Sequence, residues 1–311
     1  MDLLINAALT AVGILMLCYG GNCLVNGGES IARRMGISSL VVGMTVVAYG
    51  TSTPELAASI AAAGDHGDII LGNIVGSNIA NIGLVIGVST LLVTLAMSRK
   101  ILFREIPIMV GFSVLLVVMS IDGEISQIDG IILISMLGGF TIYIIRQSRR
   151  NIHTNTDTED SKPAYSNARS FGLLGIGVGL LYVGAILTVD NAVAIAEAFN
   201  IPEMIIGVTV IAIGTSLPEL ITSILAIRKG QIDIGVGNII GSNIYNILMI
   251  MGVSATIAGI HVAPVIFQDY AIMIIFSMAL FISIKSGKLD YRVGMVLVAG
   301  YVIYILSSLI F

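Results

Sequence analysis

The sequence predicts an all-α integral membrane protein: about ten transmembrane helices in two inverted five-helix repeats, with broken helices at the centre. Three observations lead there. The composition is too poor in charge for a water-facing surface, long apolar runs recur between short polar breaks, and one pair of motifs occurs twice.

Composition sets the class. Of 311 residues, 56% are hydrophobic and only 11% charged, and mean hydropathy is +1.00. A soluble domain carries about 25% charged residues. Each apolar run of about 20 residues can cross roughly 30 Å of hydrocarbon as a helix. Backbone groups in lipid must be bonded within their own segment, which selects helices. The alternating pattern of a transmembrane barrel is absent. A net charge of −4 without a basic cluster excludes nucleic acid as a partner.

Polar breaks divide the chain into spans at 3–30, 38–63, 69–96, 102–120, 126–146, 171–197, 204–227, 234–258, 264–284 and 291–310. The first has no cleavage motif or basic leader before it and reads as a permanent helix. Cys18 and Cys23 lie within it, on different faces, and read as packing residues. The long polar stretch 147–170 contains Asp157, Glu159, Asp160 and Pro163 and reads as a solvated linker. It separates a first half, 1–146, from a second, 171–311.

Charge tests this division. If spans alternate in direction, one set of loops holds all 15 Lys and Arg residues: Arg33, Arg34, Arg99, Lys100, Arg104, Arg146, Arg149, Arg150, Lys162, Arg169, Arg228, Lys229, Lys285, Lys288 and Arg292. The other set carries Asp65, Asp68, Asp122, Glu124 and Glu203. Lys and Arg collect on the cytoplasmic side. The expected protein is therefore a multi-pass plasma-membrane protein with both termini outside and a cytoplasmic linker. Its partner is the lipid bilayer, and nothing in the sequence requires an oligomer.

The repeat follows. Residues 43–55 read GMTVVAYGTSTPE and 207–219 read GVTVIAIGTSLPE; GNIVGSNIAN at 72–81 matches GNIIGSNIYN at 237–246. Glu219 lies 164 positions after Glu55 (219 − 55), and Asn246 lies 165 after Asn81 (246 − 81). By charge, the turn after the first copy faces out and its counterpart faces in, so the repeat is inverted, as in many secondary transporters.

Glu55 and Glu219 fall near the centres of their spans, where a charge costs about 2.5–3.5 kcal/mol. No Lys or Arg lies at matching depth, which leaves a bound cation, or a shared proton, as the compensating partner. Pro54 and Pro218 should break the helix at membrane depth and release the carbonyls of Gly50 and Gly214. Thr51 and Thr215 stand four residues before their glutamates, on the same face. Ser77 with Asn81, and Ser242 with Asn246, share a face in the second motif, whose Gly72–Gly76 and Gly237–Gly241 steps allow close helix approach. Asn78 and Asn243 point elsewhere and could bond backbone at a helix break. His66, His153 and His261 fall in loops, so the cluster is all oxygen, which suits Ca2+ and Na+. Two carboxylates balance one Ca2+.

These paired motifs resemble the two repeats of the cation/calcium exchanger superfamily, closest to its prokaryotic-type sodium/calcium exchangers. The resemblance spans the ten-span plan and is densest at 43–89 and 207–254. It implies that Glu55 and Glu219 clamp Ca2+ together with the carbonyls of Thr51 and Thr215. It implies Na+ sites drawn from the same glutamates, the hydroxyls of Thr51, Ser52, Thr215, Ser216, Ser77 and Ser242, the carbonyls of Ala48 and Ala212, and the amides of Asn81 and Asn246. The chain departs from the family in Thr53, usually apolar, and in Asn246, which is Asp in some members including potassium-dependent ones; this disfavours potassium co-transport. The expected function is antiport of Na+ against Ca2+ by alternating access, with spans one and six as the sliding element and inhibition by acid. A cation/proton antiporter of the same fold is the alternative. A channel would need no counter-ion. An enzyme is not expected, since no nucleophile–base pair is present, and no cofactor is expected beyond the transported ions.

Overall fold

The computed structural model describes residues 2–64, 67–152, 165–199, 201 and 212–308. Helix α1 (Asp2–Met35) opens the chain. Next comes α2 (Ser39–Val42), continued by a π turn (Gly43–Val47) into α3 (Ala48–Thr51), then α4 (Thr53–Ala62). Helix α5 (Gly67–Ala80) runs through a second π turn (Asn81–Ile86) into α6 (Gly87–Leu92). A third π turn (Ile101–Glu105) begins α7 (Ile106–Met119), and α8 (Gln127–Ile152) closes the first half.

The second half repeats this order. It contains α9 (Asn167–Ala198), α10 (Ala212–Thr215), α11 (Leu217–Arg228) and α12 (Ile232–Tyr245), the last continued by a π turn (Asn246–Met251) into α13 (Gly252–Ala258). Helices α14 (Ile266–Ala279) and α15 (Tyr291–Ser308) complete it. Eight helical segments among the described residues are long and apolar enough to cross a membrane, with Ser39–Thr51 as a shorter one. The expected seventh span begins in residues outside the described set.

Helix α1 continues past the expected boundary through Arg33 and Arg34, and α8 continues past 146 to Ile152. Helix α9 begins at Asn167, capped by the Ser166 hydroxyl. The polar stretch 147–170 is thus helical at both ends, since amphipathic Arg-bearing turns extend a helix beyond the lipid. Of the expected loop histidines, His66 and His153 lie outside the described residues, and His261 is exposed in a short strand.

Burial separates an inner pair from an outer ring. The apolar window of Ile232–Ala258 is 94% buried and that of Gly67–Leu92 72%, against 39% or less for the other long spans. Around this pair, α1 and α9 run antiparallel in close contact. Gly13 lies against Gly184 and Thr188, Gly20 against Gly177, and Gly27 against Ser170. Helix α12 packs on the α2–α3 segment just as tightly: a Cβ on Gly241 would sit 2.5 Å from the Met44 Cα. A Cβ on Gly72 or Gly76 would meet no described atom of a neighbouring segment within 4 Å.

Two small antiparallel ladders mark opposite ends of the bundle. Strand β1 (Leu95–Ala96) pairs with β4 (Lys288–Leu289), and β2 (Glu124–Ile125) pairs with β3 (Ile260–His261). The first ladder lies beside Arg99 and Lys285, the second beside Asp122. At other points the basic loops also tie helix ends together. Arg34 donates to the Tyr165 carbonyl at 2.6 Å, and the Ser38 N–H donates to Ser148 Oγ at 2.7 Å. Lys229 Nζ reaches Asn22 and, at 2.7 Å, Asn26 on α1.

Candidate cation-binding site

The break falls one residue beyond each GT step. Ser52 (φ −86°, ψ 11°) and Ser216 (φ −88°, ψ 2°) leave helical geometry, and each helix restarts with Pro54 or Pro218 in its first turn. Proline is accommodated there because the first-turn amides have no helical acceptor. Glu55 and Glu219 consequently sit in the first turns of α4 and α11, where the positive end of the helix dipole favours a carboxylate. The reading of a proline that frees a mid-helix carbonyl is thereby refined: Ser52 N–H still bonds Ala48 O at 3.0 Å, and the disruption centres on Ser52.

Both glutamates are buried, 2% and 1% exposed. The two carboxyl groups act on each other electrostatically across the buried site. Among the described residues, no Lys or Arg acts on either. Glu219 Oε1 accepts from Ser52 Oγ at 2.8 Å and from Ser242 Oγ at 3.4 Å. Ser52 Oγ and Ser242 Oγ are 3.1 Å apart, and Thr51 Oγ1 lies 3.4 Å from Ser242 Oγ. Thr51 Oγ1, with one proton to donate, lies 3.2 Å from the Ala48 carbonyl and 3.1 Å from Asn238 Oδ1, and Ser52 N–H donates to the same Ala48 carbonyl at 3.0 Å.

The inner helices supply the rest. Asn81 Nδ2 donates to Asn243 Oδ1 and Asn246 Nδ2 to Asn78 Oδ1, both at 3.0 Å. Asn78 Nδ2 donates to the Asn243 carbonyl at 3.3 Å and Asn243 Nδ2 to the Asn78 carbonyl at 3.4 Å. Asn78 and Asn243 therefore bond backbone, as expected, but across the helix crossing rather than at a break. Asn81 and Asn246 each open a π turn, a local widening often found at functional positions. Helix α4 contacts the turn that begins at Asn246, and α11 contacts the turn that begins at Asn81, so each carboxylate helix meets the second motif of the opposite half.

A further polar layer escaped the sequence reading. Asn73 donates to Ser59 at 3.1 Å and Asn238 to Ser223 at 2.9 Å, and Asn238 Oδ1 accepts from Thr51 Oγ1 at 3.1 Å. The signal was present: Asn73 and Asn238 are the asparagines of the duplicated Gly-Asn dipeptide. Ser77 and Ser216 are buried, Thr215 is half-buried at the end of α10, and Ala212 begins that helix.

Among the described residues, five buried oxygens of this constellation have no hydrogen-bond partner: Glu55 Oε2, Glu219 Oε2, Asn81 Oδ1, Asn246 Oδ1 and Ser216 Oγ. Buried acceptors left unmatched cost about 1–3 kcal/mol each, more when charged. Acceptors without donors are what a metal cation satisfies.

Comparison with known proteins fits this chemistry. The sodium/calcium exchanger protein family matches residues 5–146 and 169–310. The inner membrane protein YrbG of Escherichia coli is 36% identical, covering 97% of this chain and 96% of its own. The sodium/calcium exchanger MaX1 of Methanosarcina acetivorans is 31% identical, over 97% of each chain. The solved structure of the sodium-calcium exchanger NCX_Mj, soaked with 10 mM Na+ and zero Ca2+, superposes with a TM-score of 0.85 at 33% identity. That match covers 98% of this chain and 99% of the other.

Proposed function

This chain belongs to the sodium/calcium exchanger protein family, and on that premise we propose that it exchanges Na+ for Ca2+ by alternating access around Glu55 and Glu219. Family membership supports a cation/calcium antiporter of the membrane. The observation that carries the finer reading is the facing pair of buried carboxylates, ringed by acceptor oxygens without donors.

The charge count gives the mechanism. Two carboxylates balance one Ca2+ or two Na+, so the site crosses the membrane at low cost only when filled. The two ions draw on overlapping oxygens from Thr51, Ser52, Ser77, Asn81, Thr215, Ser216, Ser242 and Asn246, so one displaces the other. The carbonyls of Ala48 and Ala212 complete the Na+ ligands. Coupling of more than two Na+ to each Ca2+ would move net charge. The α1–α9 pair is the candidate sliding element. The end of the bundle that gathers Lys and Arg lies in the cytoplasm, with both termini outside.

The test is radioactive Ca2+ uptake into Na+-loaded proteoliposomes at fixed pH. Uptake should vanish without internal Na+, and in Glu55→Gln and Glu219→Gln. Uptake that ignores Na+ and follows a pH gradient would instead identify a proton antiporter.

A further inference from the structure

The two halves repeat so closely that their differences carry information. Tyr49 occupies the place of Ile213 in the first motif, and Tyr245 the place of Ala80 in the second. These departures belong to different motifs in different halves, yet they meet in the folded protein. Their ring centroids are 4.5 Å apart with planes inclined by 31°. The Tyr49 hydroxyl is also within 2.7 Å of Thr141 Oγ1 on α8.

Their positions matter. Tyr49 lies in α3, the segment that leads into the Ser52 break and contains Ala48 and Thr51. Tyr245 is buried at the end of α12, immediately before Asn246 and its π turn. In the inverted half, Ile213 is 36% exposed and Ala80 ends in a methyl, so this pair cannot form a ring stack.

We propose that the Tyr49–Tyr245 stack is a one-sided clamp that positions the Ala48–Ser52 turn against Asn246, so that the two inverted ligand turns are held unequally. Both tyrosines are positioning residues, acting through the turn rather than on the ion. The proposal rests on the cation-site reading for its effect on affinity, but not for its effect on the turn. Aromatic pairs of this kind contribute a factor of about 2 to 12 beyond their buried area.

The experiment combines radioactive Ca2+ binding to the purified full chain with hydrogen exchange of peptides covering 48–52 and 212–216. In the unaltered protein without Ca2+, 48–52 should exchange more slowly than 212–216. Tyr49→Ile and Tyr245→Ala should each speed exchange at 48–52 and weaken Ca2+ binding about 2- to 12-fold. The double variant should lose less than the sum of the two single losses, because both remove the ring contact, while only Tyr49→Ile also removes the Thr141 hydrogen bond. Tyr245→Phe should keep both properties. Tyr49→Ile installs the residue the other half already uses, so it serves even if Tyr245→Ala does not fold. Equal exchange of the two turns in the unaltered protein, additive losses in the double variant, or undisturbed Ca2+ binding in a folded Tyr49→Ile would each overturn the clamp. If the unaltered protein binds no Ca2+ but the exchange pattern responds as stated, the cation reading fails and the clamp stands.

Discussion

Replacing Glu219 by Gln separates a ligand from a structural carboxylate, because the two roles predict opposite changes in stability. The carboxyls of Glu55 and Glu219 share a buried site and act on each other electrostatically. Two unit charges about 4 Å apart repel by roughly 4 kcal/mol at an effective dielectric of about 20. Whether the ion-free pair stands as two charges or holds a proton between them, it carries a cost that an amide does not. Gln keeps an oxygen for the Ser52 and Ser242 hydroxyls. Glu219→Gln should therefore melt at a higher temperature than the unaltered protein in chelator. Ca2+ should narrow that gap, because it stabilises the unaltered protein far more than the variant. Removing one partner of a buried charge pair costs about 3–5 kcal/mol, which is at least a hundredfold in Ca2+ affinity. At a Ca2+ concentration a hundred times its Kd, the unaltered protein gains about 2.7 kcal/mol, whereas the variant gains about 0.4 kcal/mol. The assay is thermal unfolding of detergent-solubilised protein with chelator and with Ca2+. A variant that melts lower in chelator, yet is stabilised by Ca2+ as strongly as the parent, would refute the reasoning.

Three further outcomes follow from other parts of the site and bundle. Asn246→Ala removes an unpartnered oxygen and strands Asn78 Oδ1, so Ca2+ and Na+ affinities measured by uptake should fall about tenfold, from the 1–3 kcal/mol cost of a buried unmatched group. Pro218→Ala restores an amide where the helix breaks; folding should hold or improve in thermal unfolding, while Na+-dependent uptake falls about tenfold or more as ligand oxygens close back into helical bonds. Gly241→Ala drives a methyl into the Met44 backbone and should destabilise by about 1–3 kcal/mol or more, while Gly138→Ala, with no described atom within 4 Å, should be neutral or slightly stabilising in the same melt.

Much of this architecture can be read from the chain because lipid imposes simple rules. Span positions follow from hydropathy, and the breaks at Ser52 and Ser216 fall within two residues of the prolines that announce them. The π turns at Asn81 and Asn246 were not legible. A turn of that kind changes which carbonyl an amide bonds, and side-chain periodicity does not report it over six residues. The Asn73–Ser59 and Asn238–Ser223 pairs were hidden for another reason. Their members lie 14 and 15 positions apart on different helices, and only packing brings them together. The meeting of Tyr49 with Tyr245 was illegible on the same ground, although the mismatch in the repeats was visible.

The inverted repeat also explains why the polar groups meet where they do. Each broken helix contributes two ends to the interior: the end of α3 or α10, and the start of α4 or α11, where the helix dipole favours the carboxylate. A single copy would present one such pair and leave its carboxylate without a partner. Inversion brings the second pair in from the opposite direction, and the crossing of α5 and α12 fixes their separation. At that crossing the hydrogen bonds come in matched pairs, 3.0 and 3.0 Å between amides and 3.3 and 3.4 Å from amide to carbonyl. Those equal lengths place the local two-fold axis between Asn78 and Asn243, which are as deeply buried as the glutamates. On the exchange mechanism proposed above, each half would supply one route to that site, and opening one while closing the other would move the helices packed around the inner pair rather than the pair itself.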